Sequence, residues 1–208
     1  GLHDHLLPLT PSWFDVESEY QRIMFGAECR GLLVDFDRLD YAEELWQAEV
    51  DDLTAELKLL GFARPSSNKA VIAAFEQLGF EPEEFSEKTG DPTYNKMVLE
   101  SMALMGEPTA SAAKALIAYR RASKWNAVYG RGLRAHTMPD GKVPFTVNTM
   151  LARTGRSSIS RPGPALQTIP KHPVPRYCFK AHEGNELWAI DYSSQEVRVL
   201  AALSGDPG

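Results

Sequence analysis

Cysteine is nearly missing from this sequence. Cys29 and Cys178 are the only two in 208 residues, and they show neither metal-knuckle nor disulfide spacing, so both read as ordinary reduced thiols. Long apolar runs are missing too: none approaches the roughly 18 residues that a membrane-spanning helix needs. No basic stretch leads into an apolar segment and small-residue cleavage site near the start, which leaves a cytoplasmic protein with no membrane partner as the default reading. The GRSS segment is not a Walker loop, because no G-x-x-x-x-G-K-[ST] occurs anywhere. Internal repeats and low-complexity tracts are absent.

Acidic residues all but vanish from one stretch. Over residues 114–180 a single carboxylate, Asp140, faces 13 Lys and Arg, whereas residues 1–113 carry 22 Asp and Glu against 8 Lys and Arg, and residues 181–208 carry 5 against 1. The formal charge of -6 therefore hides a strongly cationic central block. A field of that sign suits phosphates even in a chain whose pI is about 5.4. The alternative is a basic face that neutralises the acidic lobe across a domain contact.

What is present divides by period. Residues 1–14, with Pro8 and Pro11, read as a tail, and a helix is expected from Val16 to Cys29. Asp37 is placed to cap a long helix carrying Leu39, Ala42, Leu45, Trp46, Leu53, Leu57 and Leu60 at three- and four-residue spacing, closed by Gly61. PSSNKAVIAAFEQLG is a serine-capped helix, residues 81–92 a loop, YNKMVLESMALM a short helix, and a fourth helix runs from Thr109 to Tyr129. Met97, Met102 and Met105 read as core filling. After Gly132, LRAHT and VPFTVNTM flank the turn MPDGK and predict a β-hairpin. LWAI, residues 187–190, reads as a strand that delivers Asp191 to its end. The fold class is therefore α+β, a mostly helical lobe followed by a partial antiparallel sheet.

Between hairpin and strand lies LARTGRSSISRPGPALQTIPKHPVP, a long stretch with little periodicity, which inside a compact domain is disordered or functional. It carries Arg153, Arg156, Arg161, Lys171 and Arg176 among Thr154, Ser157, Ser158, Gln167 and Thr168. Guanidinium forks and hydroxyls suit phosphates, and a glutamine amide suits the minor-groove edge of a base pair. Trp125, Tyr129 and Tyr177 are the available stacking rings. Asp191 suits an oxygen-preferring metal such as magnesium, which takes only one or two carboxylates, but an aspartate opening a turn is also common for local reasons. Glu196 closes a Ser193-x-x-Glu196 capping box.

At these residues the sequence resembles the family A DNA polymerases. ARTGRSSISRPGPALQTIP is similar to the family segment that begins T-G-R-L-S-S and ends L-Q-N-I-P, and AIDYSSQEVRVLAALSGD is similar to its motif A, D-Y-S-Q-I-E-L-R. The resemblance covers residues 23–208 and implies a linker or remnant of an upstream module at 1–22, a helical thumb-like region at 23–131 and a partial palm at 132–208. It implies that Asp191 is the first catalytic aspartate, binding magnesium with the Tyr192 carbonyl, and that Glu196 lies under the incoming sugar and excludes a 2'-hydroxyl. It implies DNA contacts for Arg156, Gln167 and Arg176, with Arg153, Thr154, Ser157, Thr168 and Lys171 beside them, for Ser67 and Lys69 in the thumb, and for Lys124 on the basic helix. Primer-template DNA, deoxynucleoside triphosphate and two magnesium ions follow as partners, in a bacterial cell or a phage-infected host.

The departures are specific. Ser194 stands where glutamine is usual, Gln195 where an aliphatic residue is usual, Thr168 replaces an asparagine and Ala202 a histidine. The family's fingers helix and second catalytic carboxylate lie after motif A, so the resemblance implies a catalytically incomplete segment, completed by the remainder of the polymerase or by a complementing subunit. A non-catalytic duplex-binding module and a purely structural helical domain are the alternatives.

Overall fold

A single acidic residue separates the first strand from the longest helix. The computed structural model describes residues 11–149, 156–160 and 166–205. Helix α1 (Pro11–Arg30) leads to strand β1 (Leu32–Val34), followed by α2 (Phe36–Leu59), α3 (Asn68–Gln77), α4 (Lys96–Met102) and α5 (Thr109–Trp125). Helix α5 runs on through a π-helical turn, Asn126–Arg131, into α6 (Gly132–His136). Then come β2 (Lys142–Val143), β3 (Thr146–Asn148), β4 (Ser158–Ser160), a 3-10 turn at Leu166–Thr168, α7 (Pro173–Tyr177), β5 (Phe179–Lys180) and α8 (Gln195–Ser204).

Two apolar clusters organise these elements. In the first, Leu57, Phe62, Val71, Phe75, Tyr94, Leu99, Met102 and Leu116 are buried together, with Phe75 stacked on Tyr94 at 4.6 Å and edge-on to Phe62 at 5.0 Å. Ala112, Ala113 and Ala115 on α5 join this cluster, their short side chains letting the helix backbone come close. The second cluster joins Val34, Leu39, Ala42, Trp46, Tyr129, Leu133, Val143, Cys178 and Phe179. Helix α2 thus feeds Leu39, Ala42 and Trp46 into one core and Leu57 into the other. Strands β2, β1 and β5 form an antiparallel sheet in that order, with Leu33 opposite both Lys142 and Lys180. Burial pushes the Cys178 thiol up to about 11, and its Sγ donates to the Val174 carbonyl.

The cap of α2 is Asp35, not Asp37. Asp35 has extended backbone angles and its carboxylate accepts from the Arg38 N–H at 3.2 Å, while Asp37 lies inside the first turn. Asp35→Ala should cost about 1 kcal/mol of stability, the usual loss of an N-cap; a denaturation midpoint unchanged from the parent would show the cap to be idle.

Other expectations need correction. Helix α1 already begins at Pro11, a residue whose fixed φ and missing N–H are tolerated in a first turn. LRAHT closes a helix instead of opening a hairpin, and β2 pairs with the distant β1. Only Met102 of the three methionines is buried; Met97 is exposed on the face of α4 away from Leu99, and Met105 is exposed beyond the end of that helix. LWAI forms no strand: residues 187–190 have no ladder partner among the described residues, and Leu187, Trp188 and Ile190 are exposed. Extended backbone becomes a strand only where a neighbour takes its hydrogen bonds.

Candidate functional site

A two-stranded ribbon organises the basic loop. Strands β3 and β4 pair antiparallel, with Val147 opposite Ile159 and Asn148 opposite Ser158. The Glu28 carboxylate at the end of α1 accepts from the Val147 N–H, tying the ribbon to that helix. Gln167, in the 3-10 turn, accepts the Ile159 N–H on its amide oxygen. Since a backbone N–H can only donate, that contact fixes the amide orientation and leaves the Gln167 NH2 as the outward group. The turn itself is held from behind, where the Tyr129 hydroxyl donates to the Thr168 carbonyl at 2.7 Å.

Two of the loop's cations meet carboxylates of the last segment. Arg156, just before β4, forms an ion pair with Glu196 on α8. Lys171 Nζ stands 3.9 Å from Asp191 Oδ2, and both of these side chains are almost fully exposed, at 88% and 87%. Pairs this exposed contribute at most about 1 kcal/mol each, so either partner is available to a stronger ligand. The expected capping box is absent: Ser194, in the left-handed region at φ 53°, is the residue before α8, no side chain caps the helix, and Glu196 reaches Arg156 instead. Arg198 donates to the Ser193 carbonyl at 3.0 Å, not to a carboxylate. Asp191, Tyr192, Ser193, Gln195, Arg198, Val199 and Ala202 line an open cavity of about 410 Å³.

The remaining residues are scattered. Ser67 precedes α3 without a side-chain cap bond, and Lys69 is exposed in its first turn. Ser157 is exposed beside Arg156, and Arg176 Nε donates to the Pro170 carbonyl at 3.1 Å. Lys124 shares a hollow of about 540 Å³ with Lys96, Arg120 and Arg121. Burial lowers the Arg120 pKa, and its guanidinium donates to the Tyr94 carbonyl. The neutralising reading of the basic block holds for Arg121, 2.6 Å from Glu49, and for Arg134, which pairs with Asp40 and Glu43. Tyr129 is buried and offers no stacking face; Trp125 is packed edge-on against Trp46, and Tyr177 stays exposed with Arg38 over its ring. Arg153, Thr154 and Arg161 lie outside the described residues. The sequence reading missed Glu28 and did not see that Tyr129 supports Thr168, since both contacts span many residues and leave no local signature.

Among the described residues no three His, Cys, Asp or Glu side chains gather as a metal cluster. The Asp191 carboxylate and the neighbouring carbonyls are hard oxygen donors, which fit one side of a magnesium site whose other positions would go to water and phosphate.

Comparison with known proteins shows the family of the chain. The model of DNA polymerase family A matches residues 37–208. A DNA polymerase of Mycobacterium phage D29 is 30% identical over 201 residues, covering 96% of this chain and 32% of the relative. The thermostable DNA polymerase I of Thermus filiformis is 34% identical over 200 residues, covering 92% of this chain and 23% of that protein. A solved structure of the POL domain of Pol1 from M. smegmatis, in complex with DNA primer-template and dNTP, superimposes with a TM-score of 0.76 at 26% identity, over 92% of this chain and 34% of that one. The chain thus spans about a third or less of the relatives it matches. With its helical lobe, its small antiparallel sheet and its two motif segments joined by an ion pair, the chain belongs to DNA polymerase family A.

Proposed function

We propose that this chain forms the primer-template grip and part of the catalytic centre of a template-directed DNA polymerase, with residues 23–131 as the thumb-like region and 132–208 as part of the palm. One observation carries the reading: two of the loop's cations, Arg156 and Lys171, stand against two carboxylates of the last segment, Glu196 and Asp191. Duplex phosphate or a base edge would replace the carboxylates at the cations, and magnesium would replace the cations at Asp191. These two pairs therefore hold each other's charge until both ligands arrive.

Within it, the Gln167 NH2 donates toward purine N3 or pyrimidine O2, the acceptors that every base pair shows in the minor groove, so the contact checks pairing geometry and not sequence. Arg156 supplies a second donor there, and Ser157, Thr168, Arg153, Thr154, Lys171 and Arg176 contact the backbone near the growing end. Ser67, Lys69 and Lys124, the last with the basic hollow around it, hold the duplex further away. Glu196 sits under the sugar of the incoming nucleotide as the gate against a 2'-hydroxyl, beside Tyr192. Asp191 and the Tyr192 carbonyl would hold magnesium, which when bound polarises phosphoryl oxygens and favours the ionised 3'-hydroxyl.

The 208-residue chain should bind primer-template DNA with an affinity that falls steeply as salt rises, and Arg156→Ala should weaken binding about tenfold at low salt. Equal affinity at low and high salt, or none at either, would sink the reading.

A further inference from the structure

We infer that Tyr129 is a positioning residue for Gln167, through which the helical lobe sets the minor-groove donor in place; the inference rests on the DNA-binding role proposed for Gln167. Three observations meet at this tyrosine. Its ring is buried in the second core, only 2% exposed. Its hydroxyl donates to the carbonyl of Thr168 at 2.7 Å and lies 3.3 Å from the Thr168 Oγ1. The residue before that carbonyl is Gln167, whose amide oxygen is fixed on Ile159.

The local helix is shaped to allow this. Tyr129 falls within the π turn Asn126–Arg131, where the wider winding shifts the residues after it around the helix axis relative to a continuous α-helix. The flanking glycines permit the close approaches that come with it. A Cβ at Gly130 would lie 2.9 Å from Glu43 Cγ, and one at Gly132 would lie 2.7 Å from the Ala127 carbonyl oxygen. The π turn is thereby seated against α2, and the Tyr129 hydroxyl projects out of the core onto the 3-10 turn. The result is one connected path from α2 through Glu43, Gly130 and Tyr129 to Thr168 and Gln167.

Tyr129→Phe tests this with little disturbance, because the ring that fills the core stays. Its melting temperature and that of the parent chain should agree within a few degrees. Amide exchange at Ile169, whose N–H closes the 3-10 turn on Leu166, should speed up about tenfold in the variant without any DNA. With DNA, the parent should bind about tenfold more weakly when the primer-terminal purine is replaced by its 3-deaza analogue, which lacks the minor-groove acceptor. Gln167→Ala should be indifferent to that replacement, and Tyr129→Phe nearly so. A variant that keeps the parent's exchange rate at Ile169, or keeps its full discrimination against the analogue, overturns the inference. If the parent binds no DNA, the proposed function fails and the exchange measurement decides the tether alone.

Discussion

Asp191→Asn, placed in a polypeptide that carries this segment at the full length of its relatives, is expected on the proposed function to cut nucleotide addition by more than ~1000-fold, the scale on which enzymes lose a fixed electrostatic stabiliser of the transition state. Asparagine keeps the size and one carbonyl oxygen but removes the charge, and a hard dication held by so few carboxylates loses most from that change. Primer-template binding moves little by comparison. The only charged partner that Asp191 has among the described residues is Lys171 at 3.9 Å, an exposed pair whose loss is worth at most about 1 kcal/mol and leaves Lys171 free for phosphate. Single-turnover primer extension beside equilibrium binding separates the two effects. Extension within tenfold of the parent would remove Asp191 from the catalytic centre, whereas a matching collapse of binding would make it a structural residue.

The largest loss of stability is expected from Trp46→Ala, about 3–5 kcal/mol. Trp46 is 1% exposed, packs edge-on against Trp125 at 6.2 Å, and fills the second core between Leu39, Ala42 and Tyr129. Its removal leaves a cavity that the sheet residues Val34, Val143 and Phe179 cannot fill without breaking their ladder. Trp125 also stands 5.1 Å from His172 at the start of α7, so the same change should loosen the far end of the basic loop. Denaturant unfolding followed by circular dichroism reads the first effect, and amide exchange at Val174 the second. A cost below about 1 kcal/mol would contradict the packing described for this core.

The helices were legible in the sequence because their cause is local. Leu39, Ala42, Trp46 and Leu57 repeat with the helical period and are all buried in α2. The start of that helix was misread by two residues because Asp35 and Asp37 are equally good caps by type; the backbone at Asp35, turned by β1, makes the choice. Pairing was not legible. LRAHT and VPFTVNTM looked like neighbours, yet Val143 takes Leu32 as its partner across more than a hundred residues, and nothing in either segment announces it. Arg156, Gln167, Asp191 and Glu196 were singled out through the resemblance of two segments to family motifs. How they meet was not, since the Arg156 and Glu196 pair and the Gln167 and Ile159 contact depend on how the loop folds back. A motif reports which groups are kept near one another, while the hydrogen bonds that orient them belong to the tertiary structure.

One feature of α2 has a mechanical side. Its 24 residues make a rod about 36 Å long at the usual rise per residue, seated at one end on the sheet through Asp35, whose N–H donates to the Cys178 carbonyl at 2.9 Å, and carrying the α3 to α4 cluster at the other. Packed into both cores and along α5, the rod moves only together with the helices around it, and that whole lobe is the lever. A tilt of about 10° at the sheet would carry the far end about 6 Å, roughly one turn of the same helix, so small adjustments where Asp35 is seated become ångström-scale travel at Ser67 and Lys69.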